Sequence, residues 1–214
     1  MKVNENHRAA FAETGVLCLK RAIPKNKTDP AKEYIYEELK RLHLREGGKW
    51  QTKKFAGISP FQVAGSIAQR LQHHTCFDEV IPEELVSFLN SLAGLKLRPA
   101  QARPQILVTP PQKEEWAVPE IGWHVDLVAP SGNAIPGIQI FVLLDNVAPR
   151  GGGTMAIIGS HRHRYVAPEP ESVLEMCGSA GDVYLMDMRI RHAPTVNATR
   201  NARMMLTIRY MSPS

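Results

Sequence analysis

A histidine and an aspartate stand two positions apart in the short segment Gly122-Trp-His-Val-Asp-Leu127. In an extended strand, residues i and i+2 point to the same face about 6.5–7 Å apart, so His124 and Asp126 are expected to converge while Val125 faces away. One imidazole and one carboxylate supply two of the three protein ligands of a facial non-heme iron site. Because the chain has eight histidines, a chance His-x-Asp is common, and this metal-site hypothesis depends on the rest of the sequence.

Length and composition predict one globular domain, residues 1–214. The hydrophobic fraction of 43% and the charged fraction of 22% are ordinary for such a protein. The net charge of +5 is spread along the chain, with no long run of like charge, no zinc-finger spacing and no basic helix. We therefore expect a small-molecule substrate rather than a nucleic acid as the partner.

The cysteines and the N-terminal segment bear on the cellular compartment. Cys18, Cys76 and Cys177 are an odd number, widely spaced and without a C-x-x-C pair, which is typical of reduced thiols in the cytosol. The first fifteen residues have no apolar core of a signal peptide, and no apolar stretch reaches the roughly 18 residues of a membrane span. The sequence predicts a cytoplasmic protein with no membrane partner, and it leaves the oligomeric state open.

The first 95 residues are predicted to be mainly helical support. Apolar residues at helical spacing indicate helices over residues 7–14, 31–44, 61–74 and 82–92. Gly15 is expected to end the first helix before a short strand over residues 16–19, and a polar loop is expected over residues 24–30.

From about residue 96 to 212, prolines and glycines separate short apolar runs, which indicates an all-β double sheet or barrel. The predicted strands cover residues 105–108, 122–128, 137–144, 154–158, 182–188 and 203–210. The fold class is thus mainly β, with N-terminal helices.

Three further groups of residues follow the His-x-Asp segment in order. The first is a glycine turn, a short strand and a Gly-Ser-His exit over residues 151–161. The second is a Gly-Asp turn at Gly181, followed by an apolar run that leads to His192. The third is Asn197 followed by Arg203, eleven positions after His192.

The His-x-Asp segment and these three groups, in this order, resemble the motifs of the phytanoyl-CoA dioxygenase-like branch of the Fe(II)/2-oxoglutarate-dependent oxygenases. The resemblance covers roughly residues 100–210. It implies a cupin-like jelly roll, a double-stranded β-helix with supporting helices. It also implies three cofactors or cosubstrates, namely Fe(II), 2-oxoglutarate and O2.

The resemblance further implies that His124, Asp126 and His192 bind Fe(II), and that Arg203 binds the distal carboxylate of 2-oxoglutarate. Two imidazoles and one carboxylate leave iron open on one face. A guanidinium matches a carboxylate with two parallel hydrogen bonds, which lysine and histidine do not reproduce. His161 competes with His192 as the third ligand; we favour His192, because the Gly-Ser-His histidine is structural in the family.

The sequence departs from the family pattern near the cosubstrate. Pro194 stands where the family often has a hydroxyl residue, which leaves Thr195 as a partial substitute. Thr109-Pro110 replaces a common Lys-Pro. We therefore expect Thr109 and Thr195 to help bind 2-oxoglutarate, with somewhat weaker affinity than the family pattern would provide.

The implied reaction is hydroxylation or desaturation of an unactivated C–H bond in a small metabolite, with release of succinate and CO2. Asp126 argues against halogenation, because related halogenases replace this carboxylate with a small residue. Two alternatives remain, an iron oxygenase that does not use 2-oxoglutarate and a non-catalytic ligand-binding protein. Arg189, Arg191 and Arg209 either recognise an anionic substrate or form a solvated outer face, and we favour the outer face.

Overall fold

The computed structural model describes residues 1–51, 60–71, 74–112, 115–118, 120, 122–129, 134–162 and 172–213. The described residues form four α-helices: α1 (Glu5–Thr14), α2 (Lys25–Arg41), α3 (Pro60–Leu71) and α4 (Glu83–Ala93). Within these ranges, no helix is long and apolar enough to span a membrane.

The helices begin and end where their capping residues allow. Asn4 and His7 form a reciprocal capping box at the start of α1, and Gly15 ends this helix in the left-handed conformation at φ 72°. The loop predicted for residues 24–30 is wrong, because α2 already begins at Lys25. Its buried face starts at Thr28, which extends the helical pattern through Pro30.

Eleven strands lie in the described residues. They are β1 (Val16–Leu19), β2 (Arg45–Glu46), β3 (Lys49–Trp50), β4 (Arg98–Pro99), β5 (Gln105–Thr109), β6 (Gly137–Leu143), β7 (Met155–Ile157), β8 (Val173–Glu175), β9 (Val183–Asp187), β10 (His192–Ala193) and β11 (Arg203–Met211). The main antiparallel sheet has the order β1-β9-β6-β11-β4, with β5 also paired to β11, and a smaller sheet has the order β10-β7-β8. Strands β2 and β3 form a separate hairpin.

Each strand of the main sheet sends alternate side chains to two different layers. On β11, Met204, Leu206 and Ile208 join the core that also contains buried residues of the four helices. Met205 joins the second core on the other face of the sheet, which includes Ala156 of the smaller sheet. Helices therefore cover one face of the main sheet, and the smaller sheet covers the other. This confirms the predicted fold class, a mainly β jelly roll with supporting helices.

The strand predicted for residues 122–128 is wrong. His124 forms a single β-bridge with His192, with mutual backbone hydrogen bonds of 3.0 and 2.9 Å. The Asp126 amide then donates to the carbonyl of Met188 at 3.1 Å. Because Met188 lies in a turn, the ladder cannot continue, and the segment stays irregular.

Candidate metal centre

The side chains of His124, Asp126 and His192 converge although the segment with His124 and Asp126 is not a regular strand. One ligand atom from each lies within 4.8 Å of the other two. His192 Nε2 is 3.7 Å from Asp126 Oδ2, and the two imidazole centroids are 4.3 Å apart. Among the described residues, no other group of three or more histidine, cysteine, aspartate or glutamate side chains converges in this way.

Both histidines have one ring nitrogen fixed by the backbone. Nδ1 of His192 is 3.0 Å from the carbonyl oxygen of Ile190, and Nδ1 of His124 is 2.9 Å from that of Gly122. A carbonyl oxygen can only accept, so each Nδ1 carries the hydrogen and donates it. Each Nε2 is left with a lone pair, which is the tautomer a metal requires.

Asp126 is held in a similar way through one of its two oxygens. Its Oδ1 accepts a hydrogen bond from Nη2 of Arg209 at 2.8 Å. Its Oδ2 is buried and has no hydrogen-bond partner within the described part of the chain. An unsatisfied carboxylate oxygen beside two imidazole lone pairs is the donor set expected for a divalent transition metal.

Burial favours the neutral form of His192. The side chain is 5% exposed, and this burial lowers the pKa of the imidazole below its ordinary value. A neutral imidazole is the form that binds a metal. His124 is exposed, so the group opens to solvent on the His124 side.

Arg203 is buried without a carboxylate partner. The residue is 3% exposed and forms no ion pair within the described residues. Its Nη2 donates to the hydroxyl of Thr109, Nη1 contacts the sulfur of Met205 at 3.2 Å, and Nε has no partner among the described residues. Burial lowers the pKa of the guanidinium to about 10, against a weaker electrostatic attraction to Glu175 that raises it. A buried cation of this kind is costly unless an anion accompanies it.

Thr109 is itself positioned by strand pairing and by the side chain of Asn197. It pairs directly with Arg203 across strands β5 and β11. Nδ2 of Asn197 donates to the Thr109 carbonyl at 3.0 Å. Gly152 packs against Thr109 and Asn197, and a Cβ at this position would lie 2.9 Å from Cβ of Asn197. The glycine turn thus allows the close approach that holds Thr109 against Arg203.

A cavity of about 190 Å³ connects these residues. Both histidines, Arg203 and Arg209 line it. Other polar lining residues are Gln105, Thr109, Gln139, Thr154, Thr195 and Thr207, and apolar ones are Leu107, Phe141 and Pro194. Thr195 is buried, and its hydroxyl donates to the carbonyl of Ala117 at 3.3 Å. The cavity therefore brings together every site residue predicted from the sequence except Asp126, which borders it through Arg209.

His161 lies elsewhere and is not part of the converging group. Its Nε2 donates to the carbonyl of Ala12 at 3.1 Å, in helix α1. A Cβ at Gly15 would come 2.5 Å from Nδ1 of His161, so the glycine lets the end of α1 pack against this ring. His161 therefore joins the helix to the 3-10 turn over Ser160–Arg162.

Two of the three arginines predicted to lie on a solvated outer face do not lie there. Arg189 is 7% exposed and binds Asp187 through Nε–Oδ1 and Nη2–Oδ2 contacts of 3.0 and 2.7 Å. Arg209 lines the cavity and binds Asp126. One signal in the sequence could have found Arg209, because it follows Arg203 by six positions and an even separation on one strand means a shared face.

The sequence interpretation also missed Gln139 and Thr207. Both are buried polar residues in strands that are otherwise apolar, at the positions that face the cavity. A polar residue at an inward position of an apolar strand is the signal that could have identified them.

No protein-family model and no curated protein matches this sequence. Solved structures do resemble it in fold. AviO1 from Streptomyces viridochromogenes Tue57 aligns with a TM-score of 0.64 and 17% identity, over 100% of this chain and 97% of that one. EctD from S. alaskensis with bound Fe aligns with a TM-score of 0.61 and 18% identity, over 98% of this chain and 77% of that one.

A third similar structure is the epimerase SnoN in complex with Fe3+, alpha ketoglutarate and nogalamycin RO. It aligns with a TM-score of 0.58 and 20% identity, over 97% of this chain and 83% of SnoN. This chain shares their fold. At these identities the likeness concerns the fold, and the chemistry must be argued from the site.

Proposed function

We propose that this protein is an Fe(II)- and 2-oxoglutarate-dependent oxygenase that oxidises an unactivated C–H bond of a small molecule. The observation that carries the proposal is the placement of a buried arginine without an ion pair in the same cavity as two histidines that converge with Asp126. A guanidinium in this position needs an anion, and a metal beside it can bind the other end of a 2-oxo acid.

In this proposal, Nε2 of His124, Nε2 of His192 and Oδ2 of Asp126 hold the iron. Nδ1 of each histidine already binds a backbone carbonyl, and Oδ1 of Asp126 already binds Arg209. These hydrogen bonds orient the three ligand atoms before the metal binds. The bound iron supplies the redox chemistry that couples decarboxylation of 2-oxoglutarate to oxidation of the substrate.

Arg203 and Thr109 are proposed to hold the distal carboxylate of 2-oxoglutarate. The hydroxyl of Thr109 accepts from Nη2 of Arg203 and keeps the guanidinium in one orientation. Apolar residues of the cavity wall, among them Leu107 and Phe141, limit the entry of water. Thr195 lies in the same cavity and is proposed to support the cosubstrate through its hydroxyl oxygen.

The named neighbours support the cosubstrate and leave the outcome of the reaction open. SnoN and SnoK are described as non-heme alpha ketoglutarate-dependent enzymes, one an epimerase and the other a carbocyclase, and ThoJ as a non-heme monooxygenase. The same fold therefore hosts several outcomes. We propose hydroxylation or desaturation for this chain, because Asp126 occupies the place that a halide would need.

Anaerobic titration with Fe(II) and 2-oxoglutarate tests the proposal. The expected result is a weak visible charge-transfer band that requires both additions, followed in air by formation of succinate. Candidate metabolites can then be scored by succinate release and by a product mass gain of one oxygen or a loss of two hydrogens. Absence of both the band and succinate would refute the proposal.

Histidine variants assign the ligands. His192→Ala is expected to lose iron, whereas His161→Ala is expected to retain it, because the His161 ring bonds α1 instead of the converging group. His43→Ala is a matched control, since this side chain is 71% exposed. Loss of iron from His161→Ala with retention by His192→Ala would reverse the assignment.

A further inference from the structure

A second polar pair lies in the cavity, away from Arg203. Gln139 of β6 and Arg209 of β11 are direct cross-strand partners, so their side chains leave the sheet on the same face. Both line the cavity together with His124 and His192. Arg203 and Arg209 are six positions apart on one strand, or about 20 Å between Cα atoms. The Gln139–Arg209 pair is thus at the opposite end of the β11 wall from the proposed cosubstrate residue.

The amide of Gln139 is oriented by Thr207. The Thr207 hydroxyl donates to the carbonyl of Ile140 at 2.8 Å, so its oxygen is left to accept from Nε2 of Gln139 at 2.9 Å. This arrangement leaves Oε1 of Gln139 as an acceptor. The residue is 3% exposed, and Oε1 has no hydrogen-bond partner among the described residues.

Arg209 presents the complementary atom. Its Nη2 donates to Asp126, while its Nε is buried and has no partner in the described part of the chain. One unsatisfied acceptor and one unsatisfied donor therefore occur on two directly paired residues that line one cavity. Buried polar groups of this kind are normally satisfied, so their occurrence together indicates a ligand.

We propose that the Gln139–Arg209 pair binds a neutral hydroxyl group of the substrate, and that the substrate is a hydroxyl-bearing compound such as a polyol or sugar-like molecule. A hydroxyl donates to Oε1 of Gln139 and accepts from Nε of Arg209 with the same oxygen. A carboxylate cannot donate to Gln139, and Asp126 is already bound to Arg209. An ammonium cannot accept from Arg209 and would meet its positive charge.

This inference rests on the proposed function for the identity of the substrate, but the binding test does not require turnover. Four matched probes are titrated into the full-length protein without iron, and binding is followed by ligand-observed NMR. They are cyclohexanol, methoxycyclohexane, cyclohexanecarboxylate and cyclohexylammonium. Cyclohexanol is expected to bind roughly fivefold to tenfold more tightly than methoxycyclohexane, which accepts but does not donate. Cyclohexylammonium is expected to bind more weakly than cyclohexanol. Cyclohexanecarboxylate is compared with cyclohexanol in the Arg203→Met variant, which cannot bind a carboxylate at Arg203, and is expected to bind more weakly there.

Variants then test whether Gln139 causes the preference for cyclohexanol over methoxycyclohexane. Gln139→Met keeps the length of the side chain but removes the acceptor, so the preference for cyclohexanol should fall to within about twofold. Gln69→Met makes the same change on an exposed position of α3 and should leave the preference intact. If Gln139→Met does not fold, the wild-type probe series still decides the question.

Equal binding of the two neutral probes, no binding by any probe, or tightest binding of the ammonium probe would overturn the hydroxyl subsite. Tightest binding of the carboxylate probe to Arg203→Met would overturn it as well. Retention of the preference in Gln139→Met would also overturn it. A clear hydroxyl preference in a protein that shows neither the charge-transfer band nor succinate formation would refute the proposed function and leave the subsite standing. Succinate formation without any hydroxyl preference would overturn the hydroxyl subsite and leave the proposed function standing.

Discussion

Two arginines of this protein are buried to a similar extent but have different surroundings. Arg189 is 7% exposed and forms a two-point ion pair with Asp187. Arg203 is 3% exposed and, within the described residues, has a threonine hydroxyl and a thioether as side-chain partners. The first belongs to an ion pair, and the second is a cation with no carboxylate within ion-pair distance in the part of the chain that the structure describes.

This difference shows how a structural arginine can be distinguished from a binding arginine. A buried charge is tolerated when a partner neutralises it, and removing that partner is costly. An arginine that is buried without such a partner reduces stability unless a ligand supplies the missing carboxylate. The comparison therefore makes opposite predictions for the two residues, one about folding and one about binding.

The largest effect is expected for Asp187→Asn. The substitution keeps the shape of the side chain but removes the carboxylate that binds Arg189 through two contacts, which should lower the free energy of unfolding by about 3–5 kcal/mol. Urea unfolding at neutral pH measures this change. Asp78→Asn, at an exposed position, is the matched control and should change stability by less than about 0.5 kcal/mol.

Replacing both partners sharpens the same prediction. Asp187→Leu combined with Arg189→Met removes the two charges together and should be less destabilising than Asp187→Asn alone. An Asp187→Asn variant as stable as the wild type would mean that the Asp187 carboxylate does not stabilise the buried Arg189 charge.

The next effect concerns Arg203→Met. Removal of an uncompensated buried charge should leave the free energy of unfolding unchanged or raise it, in contrast to the loss expected at Asp187. The same variant should lose about 2–5 kcal/mol of 2-oxoglutarate binding, measured by titration of the Fe(II) protein without oxygen. Affinity equal to that of the wild type would place the cosubstrate carboxylate elsewhere.

A smaller effect is expected for Thr109→Val, which is close in shape but lacks the hydroxyl that accepts from Arg203. Loss of one hydrogen bond to a charged group should weaken 2-oxoglutarate binding by about 1–2 kcal/mol and leave iron binding unchanged. Thr75→Val, at an exposed position, provides the control. Unchanged or tighter 2-oxoglutarate binding by the Thr109 variant would show that this hydroxyl does not orient the guanidinium.

Asp182 is an intermediate case, because its side chain is 2% exposed while its partner Lys20 is 65% exposed. Burial alone would raise the pKa of Asp182, but hydrogen bonds from the Arg21 amide, Lys20 and the Ser179 amide lower it below its ordinary value. A lowered pKa means that the stabilisation is present above the unfolded-state value, about 3.9, and is lost as the pH falls through the folded-state value.

We therefore expect Asp182→Asn to cost about 1–2 kcal/mol at pH 7, with a smaller difference from the wild type near pH 2.5. Urea unfolding at the two pH values measures this trend. A difference that grows towards low pH would contradict it.

The local sequence predicted most of the regular elements, because helices and strands depend on near neighbours. The pattern of short apolar runs between prolines and glycines located β5, β6, β7, β9 and β11 to within two residues at each end. It failed for residues 122–128, where one bridge and a neighbouring turn replace a strand. It also missed β2, β4, β8 and β10, which have two or three residues each.

The side chains of the candidate site could be chosen from their types and order, but their surroundings could not. Whether His161 or His192 lies beside Asp126 depends on which backbone carbonyl holds each ring, and those carbonyls are close only after folding. The position of Arg209 depends on the pairing of β11 with β6, which sets Gln139 opposite it.

By itself, the sequence determined which residues have ligand chemistry and which faces of the strands are apolar, because both are properties of residue type and local period. The tertiary structure alone decided that, among the described residues, Arg189 pairs with a carboxylate, Arg203 does not, and Gln139 and Arg209 retain unsatisfied atoms in one cavity. The physical reason is that burial and hydrogen-bond satisfaction depend on contacts between residues far apart in the chain, which no local pattern records.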